Sequence, residues 1–312
     1  MKRKSGAVSR ALPELKKLVH PCRLCAHLCG AERKNGKKGM CSAGYEIAVY
    51  SYQAHHGEEP PLSGTRGSGA VFFTHCNMKC AYCQNYAFSR ESDYEEISAD
   101  ELADRMLRLE EAGCHNINLV SPTHYAFQIV NALEKAFKKG LNLPIVYNTG
   151  GYDSVELIRL LDGIIDIYLP DMRYAADSQA VKYSNAPGYA KNNRLIIKEM
   201  FRQAGALKVN RNGIAKKGLI VRLLILPDNV SGTIETLEFL AREVSKDIYL
   251  SVMSQYYPAY KAREYPAIAR RITDREYREV IDAVERLGFV NGWIQGLETD
   301  IDRFLGTNIK PT

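Results

Sequence analysis

The stretch CNMKCAYCQN, residues 76–85, carries three of the eight cysteines of this 312-residue chain. It follows a short apolar run, AVFF at 70–73, so we expect a loop at the carboxyl end of a strand, where parallel barrels keep their active sites. Thiolates this close together can bind one 4Fe-4S cluster, but they supply ligands to only three of its irons. The spacing of Cys76, Cys80 and Cys83 therefore predicts a cluster whose fourth iron is open to a ligand from outside the protein.

Two simpler interpretations use the same cysteines. A zinc site would be completed by His75 or by a distant residue, and a ferredoxin-like cluster would recruit a fourth cysteine. The one cysteine outside the two clusters of the sequence, Cys114, precedes the next predicted strand. It should lie at the opposite end of a barrel as a buried structural thiol, and this position favours the open cluster.

Short apolar runs rich in β-branched and aromatic residues alternate with amphipathic stretches from residue 70 onward. The six runs are AVFF (70–73), INLV (117–120), IVYN (145–148), IDIYL (165–169), LIVRLLIL (219–226) and IYLSVM (248–253). This alternation predicts an α/β fold with a parallel sheet, and six units are too few for a closed eight-stranded barrel. We therefore expect a partial (β/α)6 TIM-like barrel whose open side admits a large substrate.

Local signals predict several boundaries in this barrel. The segment GALKVNRNGIAKKG, residues 205–218, is predicted to be a hairpin inserted before the fifth strand. Capping boxes predict the starts of three helices, at Ser98 with Glu101, Asp153 with Glu156, and Thr273 with Glu276.

The composition is that of a globular protein, with 46% hydrophobic and 25% charged residues and a net charge of +6. Basic residues concentrate in MKRK (1–4) and RKNGKK (33–38), which we interpret as a solvated tail and a turn rather than a nucleic-acid surface. No apolar run reaches the ~18 residues of a membrane span, and the first twenty residues lack the apolar segment of a signal peptide. We therefore expect a cytoplasmic protein with reduced cysteines that bind metal.

A second set of cysteines lies in a Gly- and Lys-rich segment near the start of the chain: Cys22, Cys25, Cys29 and Cys41. Because the segment cannot build a core of its own, we expect a metal to hold it together, and we favour zinc over a second 4Fe-4S cluster. His20 and His27 are predicted to be surface residues. The predicted domains are an N-terminal tail and four-cysteine metal module (1–60), a barrel (61–290) and a C-terminal extension (291–312).

The cysteine loop resembles the signature of the radical S-adenosylmethionine (SAM) superfamily, C-x3-C-x-aromatic-C, with Tyr82 at the aromatic position. The resemblance implies that the amino and carboxylate groups of SAM chelate the open iron. Reductive cleavage of SAM then yields a 5'-deoxyadenosyl radical that abstracts a hydrogen atom from the substrate.

A narrower resemblance is to the pyruvate formate-lyase activating enzyme-like proteins that carry an additional N-terminal cysteine motif. It rests on the cysteine loop together with SPTHY, YNTGGYDS, DIYLPDMRY, VRLLILPD and VMSQYYP. The chain departs from that family where SPTHY replaces a Gly-Gly-Glu element and where Arg173 replaces a lysine. The resemblance implies contacts with SAM from Tyr82 and Asn85 (adenosine), Ser121, Thr123 and His124 (amino group), Asn148 (ribose), and Asp171, Arg173 and Arg222 (carboxylate).

Three functions are compatible with these features. The preferred one is a radical SAM enzyme, an activating-enzyme-like oxidoreductase, that acts on a polypeptide by glycyl-radical-enzyme activation or by side-chain modification. The alternative is a radical SAM enzyme that acts on a small metabolite, and the remote alternative is a non-catalytic metal-binding scaffold. We expect an external electron donor such as flavodoxin or ferredoxin and a glycyl-radical or other protein substrate, but neither a membrane nor a nucleic-acid partner.

Overall fold

The computed structural model describes residues 2–91 and 93–297. The strands are β1 (Ile47–His55), β2 (Ser68–Phe73), β3 (Glu95–Ile97), β4 (Ile117–Val120), β5 (Ile145–Thr149), β6 (Ile167–Pro170), β7 (Lys208–Val209), β8 (Ala215–Leu224), β9 (Tyr249–Met253) and β10 (Gly292–Ile294). The helices are α1 (Lys2–Val19), α2 (Pro60–Ser63), α3 (Ala99–Glu111), α4 (Ala126–Lys138), α5 (Val155–Leu160), α6 (Asp177–Ser184), α7 (Tyr189–Ala204), α8 (Thr233–Glu243) and α9 (Asp274–Leu287).

These strands form one sheet in the order β10-β9-β8-β6-β5-β4-β2-β1-β3. The seven strands β10, β9, β8, β6, β5, β4 and β2 pair in parallel, each with its neighbours among these seven, and helices cover the outer face. The expected partial α/β barrel is therefore confirmed. All six predicted strands are present. The predicted hairpin is also present, because β7 pairs antiparallel with the start of β8. None of the helices in the described ranges is both long and apolar enough to span a membrane.

The segment predicted as a C-terminal extension, 291–312, contributes a seventh parallel strand. Gly292, Trp293 and Ile294 of β10 pair with β9. The remainder of that prediction, residues 298–312, lies outside the described residues.

Two of the three predicted capping boxes are confirmed. The Ser98 and Thr273 side chains each accept a hydrogen bond from the backbone N–H three residues later, and the glutamate there bonds back. The prediction for Asp153 is wrong, because Ser154 caps α5 and accepts from the Leu157 N–H at 3.2 Å. Asp153 is instead fully buried.

The first residues form a helix, so the prediction of a solvated tail at the start of the chain is wrong. One face of α1 is buried against α4 and α5, and the Lys4 ammonium pairs with the Asp166 carboxylate. The buried residues recur at helical spacing: Ala7, Val8, Ala11, Leu15, Leu18 and Val19.

The cysteine-rich segment that follows α1 is built into the barrel. Strand β1 pairs antiparallel with β2 and β3, so the predicted domain boundary at residue 60 falls within one sheet. Arg33, expected in a solvated turn, is 1% exposed. Its guanidinium donates to the carbonyls of Gly44 and His124 and lies 5.5 Å from the centre of the Tyr125 ring. These bonds attach the segment to the loop after β4.

Arg33→Ala should lower the free energy of unfolding by about 2–4 kcal/mol, because it leaves the buried His124 carbonyl and the partly buried Gly44 carbonyl without donors and removes packed side-chain volume. Chemical denaturation of the reconstituted protein measures the change. The neighbouring Lys34 is exposed, so Lys34→Ala should stay within about 0.5 kcal/mol of the wild type. Equal stability of the two variants would contradict the role given to Arg33.

Candidate active site

The cysteine loop leaves the carboxyl end of β2, as predicted. Cys80 is buried, and Cys76 and Cys83 are partly buried. Burial, followed by the neighbouring Cys80, raises the pKa of the Cys76 thiol to about 11. A polar hydrogen lies near each sulfur: the Met78 N–H donates to Cys76 Sγ at 3.4 Å, the Ser184 hydroxyl donates to Cys80 Sγ at 3.0 Å, and the Ser89 hydroxyl is 3.5 Å from Cys83 Sγ.

No three His, Cys, Asp or Glu side chains in residues 2–91 and 93–297 are arranged to hold a single metal ion. A zinc site needs such convergence, because its thiolates all lie about 2.3 Å from one point. In a 4Fe-4S cluster each thiolate ligates a different iron, so the sulfurs need not converge. The arrangement gives no support to zinc at either set of cysteines.

A charged network lies at the carboxyl ends of β5, β6 and β8. The Asp171 carboxylate accepts from Arg173 Nη2 at 2.5 Å and from Arg222 Nε at 2.8 Å. Arg222 Nη2 also donates to Asn148 Oδ1 at 2.6 Å. Burial opposes the charge of Arg173, but the Asp171 carboxylate holds its pKa well above the ordinary value, so the guanidinium stays protonated.

Gly151, in the loop after β5, allows this network to form. It has φ of 76°, and a Cβ at that position would lie 2.2 Å from the Asp171 carbonyl oxygen. Any other residue would displace the backbone that carries Asp171. At the neighbouring Gly150 a Cβ would lie 3.1 Å from Met78 Sδ in the cysteine loop and 3.9 Å from Arg173 Nε, so this glycine lies close to both.

The profile of the Radical SAM superfamily matches residues 70–240, more than half of the chain. The chain belongs to this superfamily. Membership implies a 4Fe-4S cluster and SAM as cofactors. The matched region begins in β2 and contains the cysteine loop and the Asp171 and Arg173 positions of the network.

Individual proteins resemble the chain more distantly. Uncharacterized protein MJ0674 of Methanocaldococcus jannaschii is 28% identical over 285 residues, which are 87% of this chain and 76% of that protein. Methylornithine synthase PylB is 16% identical, with a TM-score of 0.47 over 70% of this chain and 60% of that chain. Streptococcus suis SuiB bound to precursor peptide SuiA is 13% identical, with a TM-score of 0.48 over 74% of this chain and 52% of that chain. The chain thus matches less than two thirds of each of these two structures.

The residues present fit the cofactors of a radical SAM protein. Two buried guanidinium nitrogens beside the cysteine loop, Arg90 Nη1 and Arg173 Nε, have no hydrogen-bond partner. The charges of Arg90 and Arg173 both act on Cys83 and lower its pKa, against the larger rise that burial causes. Buried guanidinium nitrogens that lack an acceptor, next to three thiols, suit an anionic cluster and a carboxylate.

Three other residues predicted to contact SAM differ from one another in burial and in their contacts. Tyr82 is buried and lies edge-on to Tyr174 and Tyr256, whereas Asn85 is exposed. Ser121 has φ of 57° and donates its N–H to the Asn148 carbonyl at 2.9 Å. These placements leave the roles given to them as predictions.

Thr123 and His124 are buried and have partners within the protein. The Thr123 hydroxyl donates to Asp153 Oδ1 at 2.8 Å, and His124 Nε2 lies 2.8 Å from the Thr74 carbonyl oxygen. Tyr147 and Thr149 also donate to Asp153, which explains why this carboxylate is not the cap of α5. Contact of Thr123 or His124 with SAM stays a prediction. Cys114 is buried before β4, at the amino-terminal end of the strand.

A pair of acidic residues in the loop before α2 was not predicted. Glu58 lies 4.0 Å from Arg222 and accepts a hydrogen bond from the Asn148 amide at 3.3 Å. Glu59 is buried, and its Oε2 has no partner. Burial, only partly offset by Arg222, raises the pKa of Glu59 to about 8. The signal in the sequence was GEEPP, residues 57–61, whose Pro and Gly density indicates a linker or an ordered loop but not a buried carboxylate.

The four N-terminal cysteines lie together, beside the cysteine loop of the barrel. Burial raises the pKa of Cys25, and Cys22, Cys41 and Cys29 each add to the rise. His27, predicted to be on the surface, is half-buried, and its Nε2 is 2.9 Å from the Asn77 carbonyl oxygen. That prediction is wrong because the segment packs directly on the loop between Cys76 and Cys80.

Ser184→Ala should make the midpoint potential of the barrel cluster more negative. The hydroxyl donates to Cys80 Sγ, and such a bond stabilises the extra negative charge of the reduced cluster. Potentiometric titration followed by electron paramagnetic resonance (EPR) measures the shift. Ser231→Ala is the control, since its buried hydroxyl contacts Leu226 and Thr233 instead. An unchanged potential in Ser184→Ala would show that this bond has no influence on the cluster.

Glu59→Gln should flatten the pH dependence of stability. Between the ordinary pKa of 4.5 and the folded pKa of about 8, folded Glu59 holds a proton that the unfolded chain has lost, so wild-type stability falls as pH rises. Relative to Glu59→Gln, the free energy of unfolding of the wild type should fall by at most about 1.4 kcal/mol per pH unit, which corresponds to one bound proton. Unfolding free energies from pH 5.5 to 8.5 test this. Glu111→Gln, at an exposed position, should track the wild type.

Proposed function

We propose that this radical SAM protein acts on a polypeptide, by generating a glycyl radical on a partner enzyme or by modifying a side chain. The observation that supports this proposal is the open side of the sheet. In the described part of the chain β10 pairs only with β9, and β3 pairs only with β1, so the sheet does not close. An extended segment can enter through such an opening, whereas a closed barrel would admit only a small ligand.

In this proposal each part of the site has one task. Cys76, Cys80 and Cys83 ligate three irons. Arg173 pairs with the methionine carboxylate of SAM, while Asp171 orients the guanidinium of Arg173 and that of Arg222. When bound and reduced, SAM supplies a 5'-deoxyadenosyl radical for hydrogen abstraction. Because burial makes every unpaired charge costly, the guanidinium groups must be held in place before the carboxylate arrives.

A small metabolite is the second candidate substrate, and one feature favours it. Asn118 of β4 is fully buried, and neither its amide nitrogen nor its amide oxygen has a partner. Asn118 is in register with Ala70 and Val146 on the neighbouring strands, and Val146 packs against Leu62 of α2. A small polar ligand inside the barrel would satisfy this amide.

Arg173→Ala should weaken SAM binding by roughly 10- to 100-fold, because a charge-assisted contact of about 1.5–3 kcal/mol is lost and ~1.4 kcal/mol corresponds to tenfold. The cluster spectrum should stay intact. Arg173→Lys should recover part of the affinity, since it keeps the charge without the planar fork. Equilibrium binding to the oxidised, reconstituted protein measures the effect. Affinity of Arg173→Ala within about twofold of the wild type would show that Arg173 does not contact SAM.

Deuterium transfer separates the candidate substrates. Extract from source cells grown in deuterated medium is divided by ultrafiltration, and each fraction is incubated anaerobically with the protein, SAM and dithionite. A polypeptide substrate predicts deuterated 5'-deoxyadenosine from the retained fraction, and protease treatment of that fraction should abolish it. Deuterium from the filtrate would support the metabolite instead. A protein that makes no 5'-deoxyadenosine at all would be the non-catalytic scaffold.

A further inference from the structure

The four-cysteine segment and the barrel's cysteine loop are joined through residues adjacent to the cysteines themselves. His27, between Cys25 and Cys29, contacts the Asn77 carbonyl beside Cys76 at 2.9 Å. Lys79, beside Cys80, donates to the Ser42 hydroxyl at 3.4 Å, and Ser42 follows Cys41. The two cysteine sets are therefore close neighbours.

A shared anchor fixes this arrangement. The Tyr152 carbonyl, in the loop after β5, accepts a hydrogen bond from the Ala26 N–H at 3.2 Å and from the Asn77 side-chain amide at 3.0 Å. One residue of each loop thus bonds to the same oxygen. The spacing between the two loops is set by the barrel and not by a flexible linker.

The segment has other means of folding than a structural metal. Leu24, Ala43 and two of its cysteines, Cys22 and Cys41, are buried in the main core of the protein. The Arg33 guanidinium and strand β1 tie the same segment to the sheet. The expectation of zinc rested on the absence of a core, and the barrel provides that core. Because folding of the segment does not require zinc, we expect another role for its four thiols, which lie beside the predicted barrel cluster.

The outer face of the segment is basic. Lys34, Lys37 and Lys38, here called the basic rim, are exposed. Lys37 and Lys38 line a depression of about 540 Å³ together with Cys29 and Glu32, and Glu32 pairs with Lys37 at 2.8 Å. Two apolar side chains are exposed on the same segment, Leu28 at 59% and Met40 at 43%. Between Cys22 and Glu46 the chain has five Lys or Arg residues and two Glu residues.

We propose that the four N-terminal cysteines hold a second iron–sulfur cluster and that the basic rim is the docking surface of an acidic one-electron carrier protein, so that electrons reach the barrel cluster through this segment. The proposal rests on the radical SAM chemistry but not on the identity of the substrate. A basic rim with exposed apolar side chains on the same segment is complementary to an acidic carrier, and such complementarity accelerates encounter.

The electron balance is simple. The reduced carrier, an iron–sulfur or flavin protein, is oxidised by one electron and the N-terminal cluster is reduced by one. That electron then passes to the barrel cluster, and the N-terminal cluster returns to its oxidised state. No bond is made or broken in these two transfers, and no proton is required.

Metal content tests the cluster. Anaerobically purified wild-type protein should contain about eight irons per chain and less than one tenth of a zinc, with two 4Fe-4S centres in the Mössbauer spectrum. Cys22→Ser with Cys41→Ser should lose about half of the iron and keep the barrel cluster. Cys114→Ser should lose none. One zinc per wild-type chain, or only four irons, would overturn the proposal without any variant having to fold.

Reduction kinetics test the docking surface. The probe is flavodoxin hydroquinone, mixed with the oxidised holoprotein in a stopped-flow instrument at low and high salt. Reversal of the rim by Lys34→Glu, Lys37→Glu and Lys38→Glu should lower the second-order rate constant at least tenfold at low salt and abolish its salt dependence. The control reverses Lys208, Lys216 and Lys217, three exposed lysines on the β7-β8 hairpin at the opposite end of the barrel. It should stay within about twofold of the wild type.

A dithionite arm separates this inference from the proposed function. Dithionite should reduce the wild type, the rim variant and the hairpin control equally and support equal formation of 5'-deoxyadenosine, because a small reductant needs no docking surface. Equal flavodoxin rates in the rim and control variants would overturn the docking surface. So would binding of a nucleic acid or of a second copy of the chain to the rim with flavodoxin rates unaffected by its reversal.

Discussion

A 4Fe-4S cluster has four irons to ligate, and the loop after β2 offers three thiolates. The site is organised around that difference. An open iron must be buried enough to exclude water and still admit an anionic ligand, so the surrounding protein needs fixed positive charge. In the proposed site Arg173 and Arg90 provide it, each with a buried nitrogen that no other group in the described protein satisfies.

Asp171 pairs with two buried cations and orients them. Guanidinium groups next to thiolates would otherwise pair with them directly, and an isolated buried cation is costly. By accepting from Arg173 and Arg222 through its two oxygens, Asp171 directs both side chains across the carboxyl edge of the sheet. Asn148 and Glu58 extend the network to β5 and to the loop before α2.

Much of this fold was predictable because its signals are local. The apolar runs gave the strands, and Ser98 and Thr273 gave two helix starts, since a cap depends on residues three positions apart. The capping prediction at Asp153 was wrong because aspartate and serine cap helices equally well. The choice between Asp153 and Ser154 depends on contacts of Asp153 with residues that are distant in the chain or on the strand before it, namely Thr123, Tyr147 and Thr149. The apolar spacing of α1 was present in the sequence, but the basic residues at its start obscured it. Glu59 and Arg33 could not have been identified, because their burial depends on partners distant in the chain.

Electron–nuclear double resonance on the reduced holoprotein tests the open iron most directly. The sample contains SAM labelled with nitrogen-15 in its amino group. An open iron ligated by SAM predicts a nitrogen-15 hyperfine coupling to the barrel cluster, which Cys22→Ser with Cys41→Ser should retain. A wild-type cluster that shows no such coupling under saturating SAM would contradict the account, because SAM would then not be a ligand of its fourth iron.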